Sequence, residues 1–123
     1  MGFGDLPELR HGDLVAVRSP PGPHWVELVR GIWDAGAAML PVDHRLDEAA
    51  AAELLARAKP TVKLDAAGWE RPDGGEPAEE EVVLVLATSG TAGEPKLVQL
   101  DRHAIDAAVA ASALALEAGA HDR

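Results

Sequence analysis

The sequence predicts an α/β protein, with a parallel-rich sheet flanked by helices. Three observations predict it. Short apolar runs alternate with stretches of helical spacing over the first half of the chain. Val82 to Ala87 is an uninterrupted apolar run, the pattern of a strand buried on both faces. Gly- and Pro-containing clusters punctuate the connections.

Leu14 to Val17 reads as the first strand, ended by Ser19-Pro20-Pro21-Gly22-Pro23. Pro23 suits a helix start, where its missing N–H costs nothing. Trp25, Val29, Ile32 and Trp33 then recur at helical spacing, and Gly36 is the expected stop. Ala38 to Val42 reads as a second strand, and Pro41 argues that it ends there or lies at an edge. Asp47 is the candidate N-cap of a second helix, with Ala51, Leu54, Leu55 and Ala58 as its apolar face and Pro60 as its terminator. Thr61 to Leu64 is a short third strand. Residues 65–81 are rich in Gly, Pro and Glu and read as a solvated loop. After the Val82 strand comes a polar turn-former cluster, then Lys96 to Leu100, which alternates like a strand. Asp101 is expected to cap an Ala-rich helix carrying Ile105, Ala108, Val109, Ser112 and Leu116 on one side.

Composition narrows the function classes. The chain has 123 residues, expected to form one α/β domain over 1–123. Eleven basic against twenty-one acidic side chains give a net charge of −10, so no basic stripe is available for nucleic acid or an anionic membrane. The chain has no cysteine, which excludes disulfides, thiolate nucleophiles and Cys-based zinc sites. No apolar segment is long enough to cross a membrane, and Met1 to Arg10 lacks the apolar core of a signal peptide. The expected location is the cytoplasm. Phe3 and three tryptophans are the only aromatic residues, and Ala brings little apolar area, so a modest melting temperature is expected.

The chemistry-bearing segment is Thr88-Ser89-Gly90-Thr91-Ala92-Gly93-Glu94-Pro95-Lys96, which leaves the carboxyl end of the best strand. Gly90 and Gly93 allow backbone N–H groups to curl around anionic oxygens. Thr88, Ser89 and Thr91 add hydroxyl donors, and Lys96 adds a flexible point charge. The Walker spacing is absent. By composition alone the segment is equally an ordinary connection between strands.

Val85 through Lys96 resembles the signature phosphate loop of the adenylate-forming (AMP-binding, acyl-CoA synthetase) superfamily, T-S-G-[ST]-T-G-x-P-K. Trp25 through Val42 is similar to that family's early helix and its A-G-A-x-x-x-P-[LV] strand, and Asp47 to Leu64 to the helix and strand that follow. Among subfamilies it looks most like the o-succinylbenzoate–CoA ligases. The resemblance implies the N-terminal subdomain portion of an enzyme that joins a carboxylate to ATP, releases pyrophosphate, and passes the acyl group to coenzyme A. It implies Thr88, Ser89, Gly90, Thr91, Gly93 and Lys96 as nucleotide contacts, stabilising charge on the departing pyrophosphate. It implies MgATP as the nucleotide. It also implies an N-terminal fragment, without the family's adenine and acyl pockets or its later magnesium-, ribose- and catalytic residues. No adenylation by this chain alone is expected.

Three positions depart from the family pattern. Ala92 replaces a Thr, Leu97 stands where Gly is usual and is expected to crowd the loop, and Asp101-Arg102 replaces Thr-His, with His103 one place late. Other constellations are weaker. Asp43 with His44, or His121 with Asp122, lack a third metal ligand at a recognisable spacing. Ser89, His103 and Asp106 lack a nucleophile elbow. Glu79 to Glu81 reads as solvated charge, Trp25 and Trp33 as core, and Trp69 as a side chain able to pack on a partner surface. The competing function class is an interaction module, paired with a copy of itself or with the remainder of an enzyme.

Overall fold

The computed structural model describes residues 8–20, 22–65, 67–89, 95–107 and 110. Along the chain these form β1 (Leu14–Arg18), α1 (His24–Asp34), β2 (Ala38–Val42), α2 (Glu48–Ala58), β3 (Val62–Asp65), β4 (Gly68–Glu70), β5 (Val82–Ser89) and β6 (Pro95–Asp101). Residues 102–107 are helical. The strands make one sheet in the order β4-β3-β1-β2-β5-β6. The four central strands are parallel, and β4 and β6 add antiparallel to the two edges.

Local sequence accounts for the helix ends. Pro23 precedes α1 with φ −58°, as its ring requires. At the far end Ala37 N–H donates to Ile32 O and Gly36 N–H to Trp33 O, a Schellman turn whose left-handed residue is Gly36 at φ +77°. At the start of α2 the Asp47 carboxylate accepts from Ala50 N–H at 2.7 Å, so the expected cap is present. Lys59 ends that helix in the left-handed region, ahead of Pro60.

Strand alternation then divides the core between the two sheet faces. On one face Leu28 and Ile32 of α1 pack with Val15, Val17, Met39, Val62 and Leu64. On the other, Ala51 and Leu54 of α2 pack with Leu14, Ala16, Leu40, Val42 and Val85. The two helices therefore lie on opposite faces. This follows from the strand order, because α1 leads from β1 to its neighbour β2, and α2 leads back past β1 to β3.

Of the two expectations for Pro41 the first is met, since β2 is a central strand that ends one residue past the proline. Its tolerance there has a simple basis: the registered pairing of β2 with β5 is Met39 opposite Leu84, two residues before the proline. β5 differs from the strand buried on both faces that its sequence predicts: among its described side chains Val85 alone is buried and Ala87 is exposed, because the strand is next to the edge.

Residues 65–81 are not one solvated loop. They contain the end of β3 and the whole of β4, then cross the amino ends of the strands as a pinned strap. Glu76 N–H donates to Lys59 O and Ala78 N–H to Gly12 O, both at 2.8 Å. Gly75 lies so close to the chain that a Cβ there would meet Pro60 O at 2.5 Å and Thr61 Cα at 2.8 Å. Gly75→Ala is expected to cost about 1–3 kcal/mol, because backbone must move to admit the methyl group. Urea denaturation of the two chains checks this, and an unchanged midpoint would show that the strap is not tightly seated.

The strap also carries the partner of a buried carboxylate. Asp13 is 5% exposed at the start of β1. It accepts from Arg10 N–H at 2.7 Å, from the Thr61 hydroxyl at 2.8 Å, and from both Arg71 Nη atoms at 2.8 and 3.0 Å. The same Thr61 hydroxyl accepts from Leu14 N–H. One acid thus joins the amino ends of β1 and β3 to the strap.

Candidate functional site

The predicted loop spans the turn of the β5–β6 hairpin. Pairing runs in register from Leu84 opposite Leu100 out to Thr88 opposite Lys96 and Ser89 opposite Pro95. Directly opposed residues share a face, so Thr88 and Lys96 flank the mouth of the loop on the same side. The Thr88 hydroxyl lies 3.4 Å from Lys96 O, and both residues are exposed. The structure thus brings the first and last predicted contacts together. Gly90, Thr91 and Gly93 lie outside the described residues, as do Ala92 and the side chain of Ser89.

Placement of this mouth follows from the sheet. β5 runs parallel to β2, so its carboxyl end lies on the same side as those of β1, β2 and β3. That side is where open α/β sheets bind ligands. The Asp13 cluster occupies the opposite, amino-terminal side, and its role is structural.

Leu97 lies on β6, and the loop residues that it is expected to crowd lie outside the described residues. Leu97 stands opposite Ala87 and packs against the α2-side cluster. The small Ala87 leaves room for it. The Asp101 cap is present, with Ala104 N–H donating to Asp101 Oδ1 at 2.7 Å. The Arg102 guanidinium lies over the Trp33 ring at 4.9 Å from its centroid. Trp33 and Trp25 both pack against the α1-side core. Trp69 is 46% exposed on β4.

A second feature on the carboxyl side escaped sequence reasoning. An open crevice of about 490 Å³ is lined by Ser19 and Trp25 after β1, and by Pro41, Val42, Asp43, His44 and Arg45 at the end of β2. The connections of β1 and β2 diverge here to opposite faces, which opens the gap. Asp43 and Arg45 neutralise one another across its rim, with Arg45 Nε and Nη2 donating to the carboxylate at 3.1 and 3.0 Å. Hydrogen bonds from Arg45, aided by its charge and that of His44, hold the Asp43 carboxyl at about 2. Ser19 and Trp25 are far in sequence from Asp43-His44-Arg45, and only strand order makes them neighbours.

Among the described residues no group of three His, Cys, Asp or Glu side chains is placed to hold a metal ion. His121 and Asp122 lie outside the described residues. No helix among the described residues is long and apolar enough to cross a membrane.

Comparison with known proteins agrees with this architecture. An NpsA N-terminal subdomain from Klebsiella oxytoca, solved with anthranilyl-AMSN, superposes with TM-score 0.60 at 24% identity, covering 76% of this chain and 29% of that one. A Brucella canis acyl-CoA synthetase superposes with TM-score 0.55 at 20% identity, covering 76% and 24%. Both likenesses are of fold. In sequence the chain is 39% identical over 62 residues to a Rhodococcus jostii 3-[(3aS,4S,7aS)-7a-methyl-1,5-dioxo-octahydro-1H-inden-4-yl]propanoyl:CoA ligase, covering 50% of this chain and 12% of the relative. It is 29% identical over 123 aligned residues to an isonitrile lipopeptide synthase from Streptomyces coeruleorubidus, covering 80% and 8%. The chain thus spans a small part of the length of these curated relatives. Residues 6–70, more than half of the chain, match the family model described as AMP-binding enzyme. On that match and on the shared sheet, this chain belongs to the AMP-binding enzyme family.

Proposed function

We propose that the chain is the nucleotide-phosphate-binding part of an ATP-dependent carboxylate–CoA ligase. Residues 88–96 take the β- and γ-phosphates. The observation that carries the reading is the opposition of Thr88 and Lys96 across the hairpin mouth, on the ligand side of the sheet. The family match ends at residue 70, so the loop assignment rests on its own sequence and on this geometry. Coenzyme A as acyl acceptor is supported by the Rhodococcus relative, whose name makes it a CoA ligase.

In this reading the hairpin register sets where Lys96 stands, and its ammonium neutralises charge as pyrophosphate departs. The Thr88 and Thr91 hydroxyls and the Ser89 hydroxyl donate to phosphate oxygens, and Gly90 and Gly93 bring backbone N–H groups close. Carboxylate and acyl-acceptor sites come from elsewhere in the complete enzyme, and the chain alone does not adenylate. The second reading, an interaction module or one part of a split enzyme, draws on the exposed Trp69 and Val98 at the two sheet edges.

Amide NMR of the chain with increasing MgATP tests the proposal. Saturable shifts centred on residues 88–96 are expected, with Lys96→Ala weakening binding about 10-fold or more, the worth of one charge-assisted contact. A dispersed spectrum that does not respond would favour the interaction module. Carboxylate-dependent pyrophosphate release by the wild-type chain, abolished in Lys96→Ala, would show that it is competent unaided.

A further inference from the structure

The loop-bearing hairpin joins the parallel strands through β5, which runs beside β2 with Met39 opposite Leu84. Side chains add to this attachment, and one of them bridges three elements. Trp33, in the last turn of α1, donates from Nε1 to Val83 O of β5 at 2.9 Å. Trp33 and Leu84 of β5 both pack against the α1-side core. The guanidinium of Arg102, one residue past β6, covers the ring at 4.9 Å.

We propose that Trp33 and Arg102 are positioning residues that seat the β5–β6 hairpin, and with it Thr88 and Lys96, on the parallel sheet. Trp33 fixes the amino end of β5 through the Val83 carbonyl. Arg102 closes over the same ring from beyond β6, so both strands of the hairpin are tied to one side chain of α1. The ion pair of Arg102 with Asp106 at 3.8 Å joins residues one helical turn apart and does not reach the sheet. The link to catalysis rests on the reading of residues 88–96 as the phosphate loop.

The test is amide hydrogen exchange on the full chain, which needs no nucleotide. Trp33→Phe keeps a ring but loses the indole N–H. It is expected to speed exchange in β5 and β6 about 5-fold relative to β1 and β3, as the loss of one hydrogen bond predicts. Arg102→Gln is expected to give about 3-fold, and Arg102→Lys to restore most of the protection. In a Trp33→Leu background Arg102→Gln is expected to change nothing further, which separates the stack from the Asp106 pair. Equal acceleration of all strands, or an undiminished Arg102→Gln effect without the Trp33 ring, would overturn the proposal. If exchange behaves as expected while MgATP shifts nothing in any chain, the seating stands and the nucleotide reading falls.

Discussion

Replacing Asp13 by alanine is expected to lower the stability of the folded chain by about 3 kcal/mol, the usual cost of breaking a largely buried ion pair from one side. The carboxylate satisfies Arg10 N–H, the Thr61 hydroxyl and the Arg71 guanidinium at once. Its loss strands a cation that is only 28% exposed. Arg71→Met is expected to be costly for the mirror reason. The double variant is expected to cost less than the sum, because neither charge is then left alone. Urea denaturation of the four chains measures the coupling, and simple additivity would show that the pair is not coupled.

The same group makes a prediction about acid. Burial pushes the Asp13 carboxyl up, but hydrogen bonds from Arg71, Arg10 N–H and Thr61, with the charge of Arg71, outweigh it and hold the group at about 2 against an ordinary 3.8. A depressed folded-state value means the stabilisation is complete above the unfolded value. It is lost as pH falls from about 4 through about 2, and amounts to roughly 2 kcal/mol. Asp13→Asn removes that dependence. Denaturation midpoints at pH 5 and pH 2 test it, and an identical acid slope in wild type and Asp13→Asn would sink it.

Leu40→Ala carries the other large effect, expected at about 3 kcal/mol or more. Leu40 is fully buried in β2, at the centre of the sheet, within the cluster of Leu14, Ala16, Val42, Leu54 and Val85. Three members of that cluster are already alanines, Ala16, Ala38 and Ala51, so little side-chain volume beside Leu40 is available to fill the space. In a core so rich in alanine the loss is expected to leave little folded chain at 37 °C. Thermal unfolding by circular dichroism measures it, and a melting temperature within a few degrees of wild type would show that the cluster collapses onto the gap.

Much of this was legible in the sequence where the cause is local. Asp47 and Asp101 cap helices through N–H groups three residues on. Gly36 supplies a left-handed turn that its own neighbours demand. The α1 face was read from Trp25, Val29, Ile32 and Trp33, yet Leu28 is the more deeply buried partner of Ile32. Periodicity locates the stripe, but the depth of each position depends on what packs above it. The strap was misread for a related reason. A stretch rich in Gly, Pro and Glu carries no apolar period, and its order comes from backbone bonds to Lys59 and Gly12, distant in sequence.

The candidate site divides in the same way. The proposal for the run 88–96 starts from its resemblance to a phosphate loop, because hydroxyls, glycines and a lysine at set spacing are readable without coordinates. Tertiary structure decided that β5 lies beside β2, that Thr88 faces Lys96, and that Leu97 turns into the core opposite Ala87. It alone placed Asp13 on Arg71, fifty-eight residues away, and Arg102 over Trp33. The physical reason is the range of the forces that leave a trace in the chain. Capping, turns and alternation act over a few residues and constrain residue types there. Strand order and side-chain contacts across the sheet are settled by the joint burial of many segments, and no single segment encodes its neighbour.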